Sequence, residues 1–219
     1  MADPYTPALS EFSLDADEDA VILLATASDK PWDYVPKTND EKLALKSAKN
    51  KMLAFHLDRH GWNCCYCRTD LHAAGPYMTD REHILPKGIT AYKPYSYAIW
   101  NLTAACKRCN MQFKGTGDEF VIDRVDVSKY QTSENYRFVH PNFDCWEDHL
   151  TRLSVQVNAQ KIIVIICKPN SDKAVYTHAF FNLHDFEVDS FDSAQGLVNN
   201  DTASAAVLEL RKLVKTFGQ

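Results

Sequence analysis

The sequence predicts an α+β fold, and three stretches of the chain carry this prediction. A Thr-x-x-Glu capping box at residues 38–41 opens a basic helix, and Gly61 is suited to ending it. Two Cys-x-x-Cys pairs lie in the middle of the chain, and both adjoin polar turns. Residues 162–167 form an unbroken, mostly β-branched apolar run, which is typical of a central strand. Helical, metal-organised and strand-forming segments therefore follow one another along the chain.

The 219 residues divide into three predicted regions. Residues 1–61 form an N-terminal extension that ends with the basic helix. Its Trp32 and Tyr34 are expected to pack onto the next region, and contact with a partner is the less favoured alternative. Residues 62–120 form the core that contains both cysteine pairs. Residues 121–219 form a C-terminal α+β region.

The C-terminal region is expected to hold a small antiparallel sheet and a helix. Residues 153–157 alternate between apolar and polar side chains, as a half-buried strand does, and they precede the run at 162–167. Residues 175–181 are expected to pair with that run as a further strand. Asp144 is suited to capping a short helix, and a last amphipathic helix is expected to begin near Asp201.

Composition and charge favour a cytoplasmic protein without a membrane partner. No apolar stretch approaches the ~20 residues that a bilayer crossing needs. The longest, residues 20–27, follows an acidic stretch at residues 15–19, whereas a signal peptide has a basic flank. The seven cysteines, an odd number, favour metal binding in a reducing compartment over a disulfide framework.

The four paired cysteines are predicted to bind one structural zinc ion. Zn²⁺ prefers four ligands in a tetrahedron, and two Cys-x-x-Cys turns supply four thiolates from two points of the chain. Cys65 could replace Cys64 as the partner of Cys67. Two intervening residues is the usual spacing, however, and this favours Cys64. The predicted ligands are Cys64, Cys67, Cys106 and Cys109.

The segment between and just after the cysteine pairs is basic, although the net charge of the chain is −5. Between residues 81 and 114, six basic side chains accompany a single acid, Glu82. Phosphate contacts depend on the local field, since distant charges are screened within roughly 10 Å at ordinary salt. A nucleic-acid substrate is therefore compatible with the composition. The acidic balance elsewhere favours a partner that supplies more of the basic surface.

Three motifs in this segment occur in a recognisable order. A Glu-His-Ile-x-Pro motif begins at Glu82, an Asn-Leu pair at Asn101, and a Cys-x-x-Cys-Asn-x-x-x-Lys motif at Cys106. Over about fifty residues, 64–115, this order resembles the HNH endonuclease family, the zinc-bearing branch of the His-Me finger nucleases. The resemblance implies a ββα-metal core, with two strands followed by a helix.

The resemblance also implies a role for each motif residue. His83 would be the general base that takes a proton from the attacking water. Glu82 and Asn110 would hold a catalytic divalent ion, and their oxygen ligands favour Mg²⁺ or Mn²⁺. With two protein ligands, we expect weak metal affinity. Asn101 would orient His83 through the loop backbone or through the imidazole. The side chains expected to contact nucleic acid are Lys87, Lys107, Arg108 and Lys114.

A looser resemblance extends beyond the core. An HNH core followed by a His-Pro segment and a small C-terminal sheet is similar to the nuclease subunits of Septu-type and retron-associated anti-phage systems. In those systems an ATPase subunit accompanies the HNH protein, so an ATPase is an expected partner, with DNA as the substrate.

Two other functions stay open at this stage. A non-catalytic zinc-ribbon module for nucleic-acid binding or scaffolding would need the four cysteines and the basic loop but not the Glu-His pair. An RNA-cleaving HNH nuclease would use the same chemistry as a DNA-cleaving one. For His140 and His149, capping and packing are favoured over metal binding.

Overall fold

The chain folds into two compact units in the computed structural model of the protein. The first unit consists of Met1–Tyr136 together with His140–Cys145, and the second of Arg137–Val139 together with Trp146–Gln219. The region boundaries expected after residues 61 and 120 both fall inside the first unit. The residues that the structure describes are 3–72, 75–157 and 160–189.

Two packed helices open the first unit, α1 (Ala16–Thr26) and α2 (Asn39–Arg59). The carboxylate of Asp15 caps α1 by accepting a hydrogen bond from the backbone N–H of Glu18 at 3.0 Å. Thr38 caps α2, since its hydroxyl accepts from the backbone N–H of Glu41 at 3.1 Å. The helix predicted from the capping box is therefore confirmed.

The core of the first unit is built mainly on these two helices and on one strand residue. Its cluster of buried apolar side chains is completed by partly buried aromatic residues of the N-terminal segment, Trp32 and Tyr34 among them, as the sequence predicted. The buried members are Val21, Ala25, Leu45, Met52, Tyr97 and Leu102.

A two-stranded antiparallel sheet follows in the same unit, formed by β1 (Thr79–His83) and β2 (Leu102–Cys106). A single helical turn, α3 (Gly75–Met78), precedes β1. A π-helical segment, Arg108–Lys114, follows β2. The order strand, strand, helical segment is therefore present where the three motifs lie.

The register of this sheet fixes the faces on which the motif residues lie. Glu82 lies opposite Thr103, and His83 lies opposite Leu102. Because successive side chains of a strand point to opposite faces, Glu82 and His83 project from opposite faces of β1.

The second unit contains a three-stranded antiparallel sheet in the order β3 (Leu150–Val157), β4 (Gln160–Cys167) and β5 (Val188–Asp189). The strands predicted at residues 153–157 and 162–167 are confirmed as β3 and β4. No helix in the described part of the chain combines the length and the apolar character that a membrane crossing requires.

The strand predicted at residues 175–181 is wrong, because this stretch belongs to a helix, α4 (Asp172–Phe180). The hydroxyl of Ser171 accepts a hydrogen bond from the backbone N–H of Ala174 at 3.1 Å and caps the helix. A cap of this kind satisfies a backbone donor that would otherwise lack a partner. The third strand of the sheet is β5 instead.

The short helix predicted after Asp144 is also wrong. The described chain between Asp144 and β3 contains a 3₁₀ turn, Trp146–Asp148, and no α-helix. The carboxylate of Asp144 instead accepts hydrogen bonds from the backbone N–H of His140, at 2.7 Å, and from the hydroxyl of Ser133. The last helix, expected near Asp201, lies outside the described residues.

Candidate functional site

Four buried cysteines come together as a candidate zinc centre. The sulfurs of Cys64, Cys67, Cys106 and Cys109 all lie within 4.8 Å of one another. The Cys67 and Cys106 sulfurs are 3.8 Å apart. A tetrahedral zinc ion with Zn–S bonds of about 2.3 Å holds its sulfurs about 3.8 Å apart, so the four thiols fit this metal. Cys64 belongs to the cluster and Cys65 does not, as the spacing predicted.

Backbone hydrogen bonds tie the first cysteine pair to the sheet. The N–H of Cys65 donates to the carbonyl of Ala104 in β2 at 3.1 Å, and the N–H of Cys64 donates to the carbonyl of Thr69 at 2.8 Å. Cys106 ends β2, and Cys109 lies in the π-helical segment. A metal in this cluster would therefore join β2, the helical segment and the first cysteine turn at one point.

His83 lies at the end of β1 with its ring almost fully buried. Its Nε2 is 3.0 Å from the backbone carbonyl of Ser96. A carbonyl only accepts, so Nε2 carries the proton and Nδ1 keeps its lone pair. Burial, aided by the ammonium groups of Lys87, Lys114 and Lys49 and opposed by the hydrogen bond to the Ser96 carbonyl, lowers the pKa of His83 to about 3. The imidazole is therefore neutral at physiological pH.

Trp32 covers the imidazole of His83 from the N-terminal segment. The two ring centroids are 4.4 Å apart, with the rings nearly perpendicular. Lys49 of α2 holds the tryptophan by donating to its backbone carbonyl at 2.7 Å, and the ammonium lies 4.5 Å from the indole centroid. The sequence predicted packing for Trp32 but not this contact, which joins residues fifty-one positions apart (83 less 32).

Asn101 is fully buried and holds the loop that leads out of β1. Its Oδ1 accepts from the N–H of Leu85 at 2.7 Å, and its Nδ2 donates to the carbonyls of Leu85, at 3.3 Å, and Tyr95, at 3.0 Å. The backbone carbonyl of Asn101 also accepts from Ile84 at 2.9 Å. Asn101 therefore fixes the loop backbone that follows His83, and its role in orienting His83 stays a prediction.

Asn142 supports this arrangement, and no sequence motif predicted its role. Its Nδ2 donates to the carbonyls of Trp100, at 2.9 Å, and Leu102, at 2.8 Å. Asn101 lies between these two acceptors in the chain, so Asn142 fixes the backbone on either side of it.

Glu82 is buried on the other face of β1, and its carboxylate contacts Lys114, Tyr66 and the backbone N–H of His83. Its Oε1 is 2.9 Å from the ammonium of Lys114 and accepts from the hydroxyl of Tyr66 at 3.1 Å. Burial raises the pKa of Glu82, while Lys114 and Tyr66 oppose that rise. Lys114 thus connects the two halves of the site, because it is bonded to Glu82 and also acts on the pKa of His83.

Asn110 contacts Asp80 rather than Glu82. Its Nδ2 donates to Oδ2 of Asp80 at 3.0 Å. Asp80 and Glu82 are two positions apart in β1 and therefore share a face. Since Asn110 reaches Asp80 and Lys114 reaches Glu82, the π-helical segment lies along this face. The structure brings Glu82 and Asn110 to the same face of β1, and their joint metal binding stays a prediction.

The four side chains expected to contact nucleic acid all make contacts within the chain. Lys87 pairs with Asp33 at 3.0 Å, and Lys107 pairs with Asp80 at 2.6 Å. The guanidinium of Arg108 lies 4.2 Å from the ring centroid of Phe113. Lys114, which is bonded to Glu82, is 3 % exposed and is the least accessible of the four to a ligand. The expected phosphate contacts stay predictions.

The two ambiguous histidines make contacts that suit packing and local hydrogen bonding. His140 accepts from the backbone N–H of Asn142 at 3.1 Å and stacks on Phe143 with ring centroids 4.0 Å apart. Nδ1 of His149, in the second unit, lies 2.7 Å from the hydroxyl of Ser171.

Comparison with known proteins assigns no family to this chain. No protein-family model matches it, and neither the curated proteins nor the solved structures contain a match. The resemblance to HNH endonucleases therefore rests on the three motifs alone.

Proposed function

We propose that the protein is a metal-dependent HNH endonuclease that hydrolyses phosphodiester bonds of DNA. One observation carries this proposal: the hydrogen bond from Nε2 of His83 to the Ser96 carbonyl, which leaves Nδ1 as the basic nitrogen. A histidine fixed in one tautomer, with the lone pair of its other nitrogen unprotonated, has the arrangement that general-base chemistry requires.

The chemistry assigned to His83 is the activation of water. Nδ1 accepts a proton as the water oxygen forms a bond to phosphorus, and the bond from phosphorus to the leaving sugar oxygen breaks with its electron pair on that oxygen. Asn101 and Ser96 keep the imidazole in position, since they fix the loop backbone and Nε2 respectively. Trp32 shields the ring from bulk water.

Glu82 and Asn110 fit a hard divalent ion by the chemistry of their donors. Glu82 offers a carboxylate, whose contacts with Lys114 and Tyr66 both use Oε1. Asn110 offers its amide oxygen, because its nitrogen faces Asp80. Carboxylate and amide oxygens suit Mg²⁺ or Mn²⁺. When bound, the ion would polarise the phosphate and stabilise the leaving oxygen.

Two basic side chains near the site are free to exchange partners. The Lys87–Asp33 and Lys107–Asp80 pairs are partly exposed, with both lysine side chains at 40 % exposure. Exposed ion pairs contribute only ~0–1 kcal/mol, so a phosphate can replace the carboxylate at little cost. The net charge of −5 supports a further subunit that adds basic surface, and the looser resemblance suggests an ATPase for that role.

A zinc-ribbon scaffold without catalysis is the competing function. The buried pair of Glu82 and Lys114 favours it, because such a pair has a structural use without any metal.

Plasmid cleavage tests the proposal. Wild type, His83→Ala and the control His184→Ala are compared at equal zinc content on supercoiled DNA and on single-stranded RNA, with Mg²⁺, Mn²⁺ or EDTA. His184 is a matched control because its side chain is 63 % exposed and lies in the second unit. We expect wild type and His184→Ala to cut DNA with metal only, and His83→Ala to be at least 100-fold slower.

Three other outcomes would count against the proposal. Equal cleavage by His83→Ala would remove His83 as the base. Cleavage of RNA alone would reassign the substrate. No cleavage by wild type, alone or with a co-purified partner subunit, would favour the scaffold.

A further inference from the structure

We infer that Asp80 is a positioning residue for Asn110, which it orients so that the amide oxygen faces the divalent ion. The inference rests on the proposed function, because it concerns the same metal site. None of the sequence motifs includes Asp80.

The direction of one hydrogen bond determines how the Asn110 amide is turned. Oδ2 of Asp80 lies 3.0 Å from Nδ2 of Asn110. An ionised carboxylate only accepts hydrogen bonds, so the NH₂ group must face it and Oδ1 must point away. Within the described residues, Oδ1 of Asn110 makes no hydrogen bond. The oxygen that a metal would need is therefore the end of the amide without a partner there.

Asp80 is itself held on both oxygens. Its Oδ1 is 2.6 Å from the ammonium of Lys107, and its Oδ2 accepts from Asn110. Its side chain is 19 % exposed, and its backbone is paired in β1 opposite Ala105. Because Asp80 is paired within β1 and bonded to Nδ2 of Asn110, its carboxylate restricts the rotation of the Asn110 amide.

The geometry of β1 places Asn110 over the same face of the strand as Glu82. Asp80 and Glu82 share a face of the strand, about 6.6 Å apart along it. Asn110 and Lys114 lie over that face at these two positions. Partners that orient a metal ligand without touching the metal typically change its affinity 10- to 100-fold when they are mutated.

Manganese affinity measures this effect without requiring cleavage. Mn²⁺ binding to the zinc-loaded full chain is followed by the electron paramagnetic resonance signal of free Mn²⁺, for wild type, Asp80→Ala, Asp80→Asn and the control Asp185→Ala. We expect Asp80→Ala to bind Mn²⁺ 10- to 100-fold more weakly. Asp80→Asn keeps an acceptor for Asn110 and should stay within about threefold of wild type. Asp185→Ala removes a partly exposed carboxylate from the second unit and should bind like wild type.

Zinc content and circular dichroism identify any variant that fails to fold, and Asp80→Leu, which also lacks an acceptor, takes the place of Asp80→Ala if that variant fails. Unchanged affinity in Asp80→Ala would overturn the inference. Equal weakening in Asp80→Asn and Asp80→Ala would also overturn it, because charge rather than orientation would then matter. Wild type that binds no Mn²⁺ would overturn the proposed metal site as well, so the two failures are distinguishable.

Discussion

His83 owes its low basicity to the groups that bury it. Trp32 covers the ring with centroids 4.4 Å apart, and the burial of the ring outweighs the hydrogen bond from Nε2 to the Ser96 carbonyl, which by itself raises the pKa. Burial disfavours the charged imidazolium, and nearby ammonium groups add to this, so the pKa falls to about 3. An ordinary histidine with a pKa of about 6.5 would be partly protonated just below neutral pH.

Removing the indole should raise the pKa of His83 towards its ordinary value. We expect wild-type His83 to show no titration between pH 5 and 8 by NMR, whereas Trp32→Ala should bring its midpoint into this range. Trp32→Phe, which keeps an aromatic cover, should behave like wild type. His83→Gln identifies the resonance. A wild-type midpoint near 6.5, or no change in Trp32→Ala, would contradict this account of the burial.

Among the secondary-structure elements, the candidate zinc cluster connects a sheet and a helical segment that are each too small to be stable alone. The sheet of β1 and β2 has only two strands, and the helical segment after it has seven residues. A two-stranded sheet is marginally stable in water without further support. The cysteine cluster lies where β2 ends and the helical segment begins, so a metal there would stabilise both.

Replacing one ligand should therefore disrupt the core, whereas replacing its neighbour should not. Cys64→Ser is expected to lose zinc and most of the stability, because zinc ligation supplies on the order of 10 kcal/mol in small zinc domains. Cys65→Ser is the matched control, since Cys65 is also buried but lies outside the cluster. Zinc content by mass spectrometry and the melting temperature measure the two effects. Equal zinc and equal melting temperature in Cys64→Ser would remove the zinc assignment.

The sequence allowed part of this site to be predicted because part of it is local. The Cys-x-x-Cys spacing specifies two tight turns, and the capping box specifies the start of α2. The contacts of Trp32, Asp80 and Asn142 join distant parts of the chain, so no local pattern reveals them. Helix α4 escaped prediction because its β-branched residues favour a strand, whereas a serine cap starts a helix.

At the scale of the whole molecule, two buried histidines make stability depend on pH. Burial lowers the pKa of His56 to about 3, and burial lowers the pKa of His60 well below its usual value, with Arg59 and Arg68 nearby. Both rings are also hydrogen-bonded, His56 to the carbonyl of Ile99 and His60 to the hydroxyl of Thr103. The native state therefore favours the neutral form of both groups.

The sign of the pH effect follows from the unfolded state, in which His56 and His60 take up protons at a higher pH than they do in the native state. Unfolded histidines protonate near pH 6.5, so stability is full above that pH and falls as the pH drops towards 3. We expect the free energy of unfolding to fall by about 1 kcal/mol per histidine between pH 7.5 and 5.5. Urea unfolding of zinc-loaded protein measures it, and His60→Gln should show a smaller loss. If the free energy of unfolding of His60→Gln falls as much as that of wild type, the pH effect belongs to other groups, such as the thiolates.

The central claim is that the chain holds two different metals in two different sites. A crystal grown with zinc and soaked in Mn²⁺, with anomalous scattering recorded at the absorption edges of both metals, tests it most directly. We predict a zinc peak bound by the four sulfurs of the cysteine cluster and a manganese peak bound by Glu82 and Asn110. A zinc peak without manganese at Glu82 and Asn110 would contradict the nuclease assignment and leave the zinc scaffold as the better account.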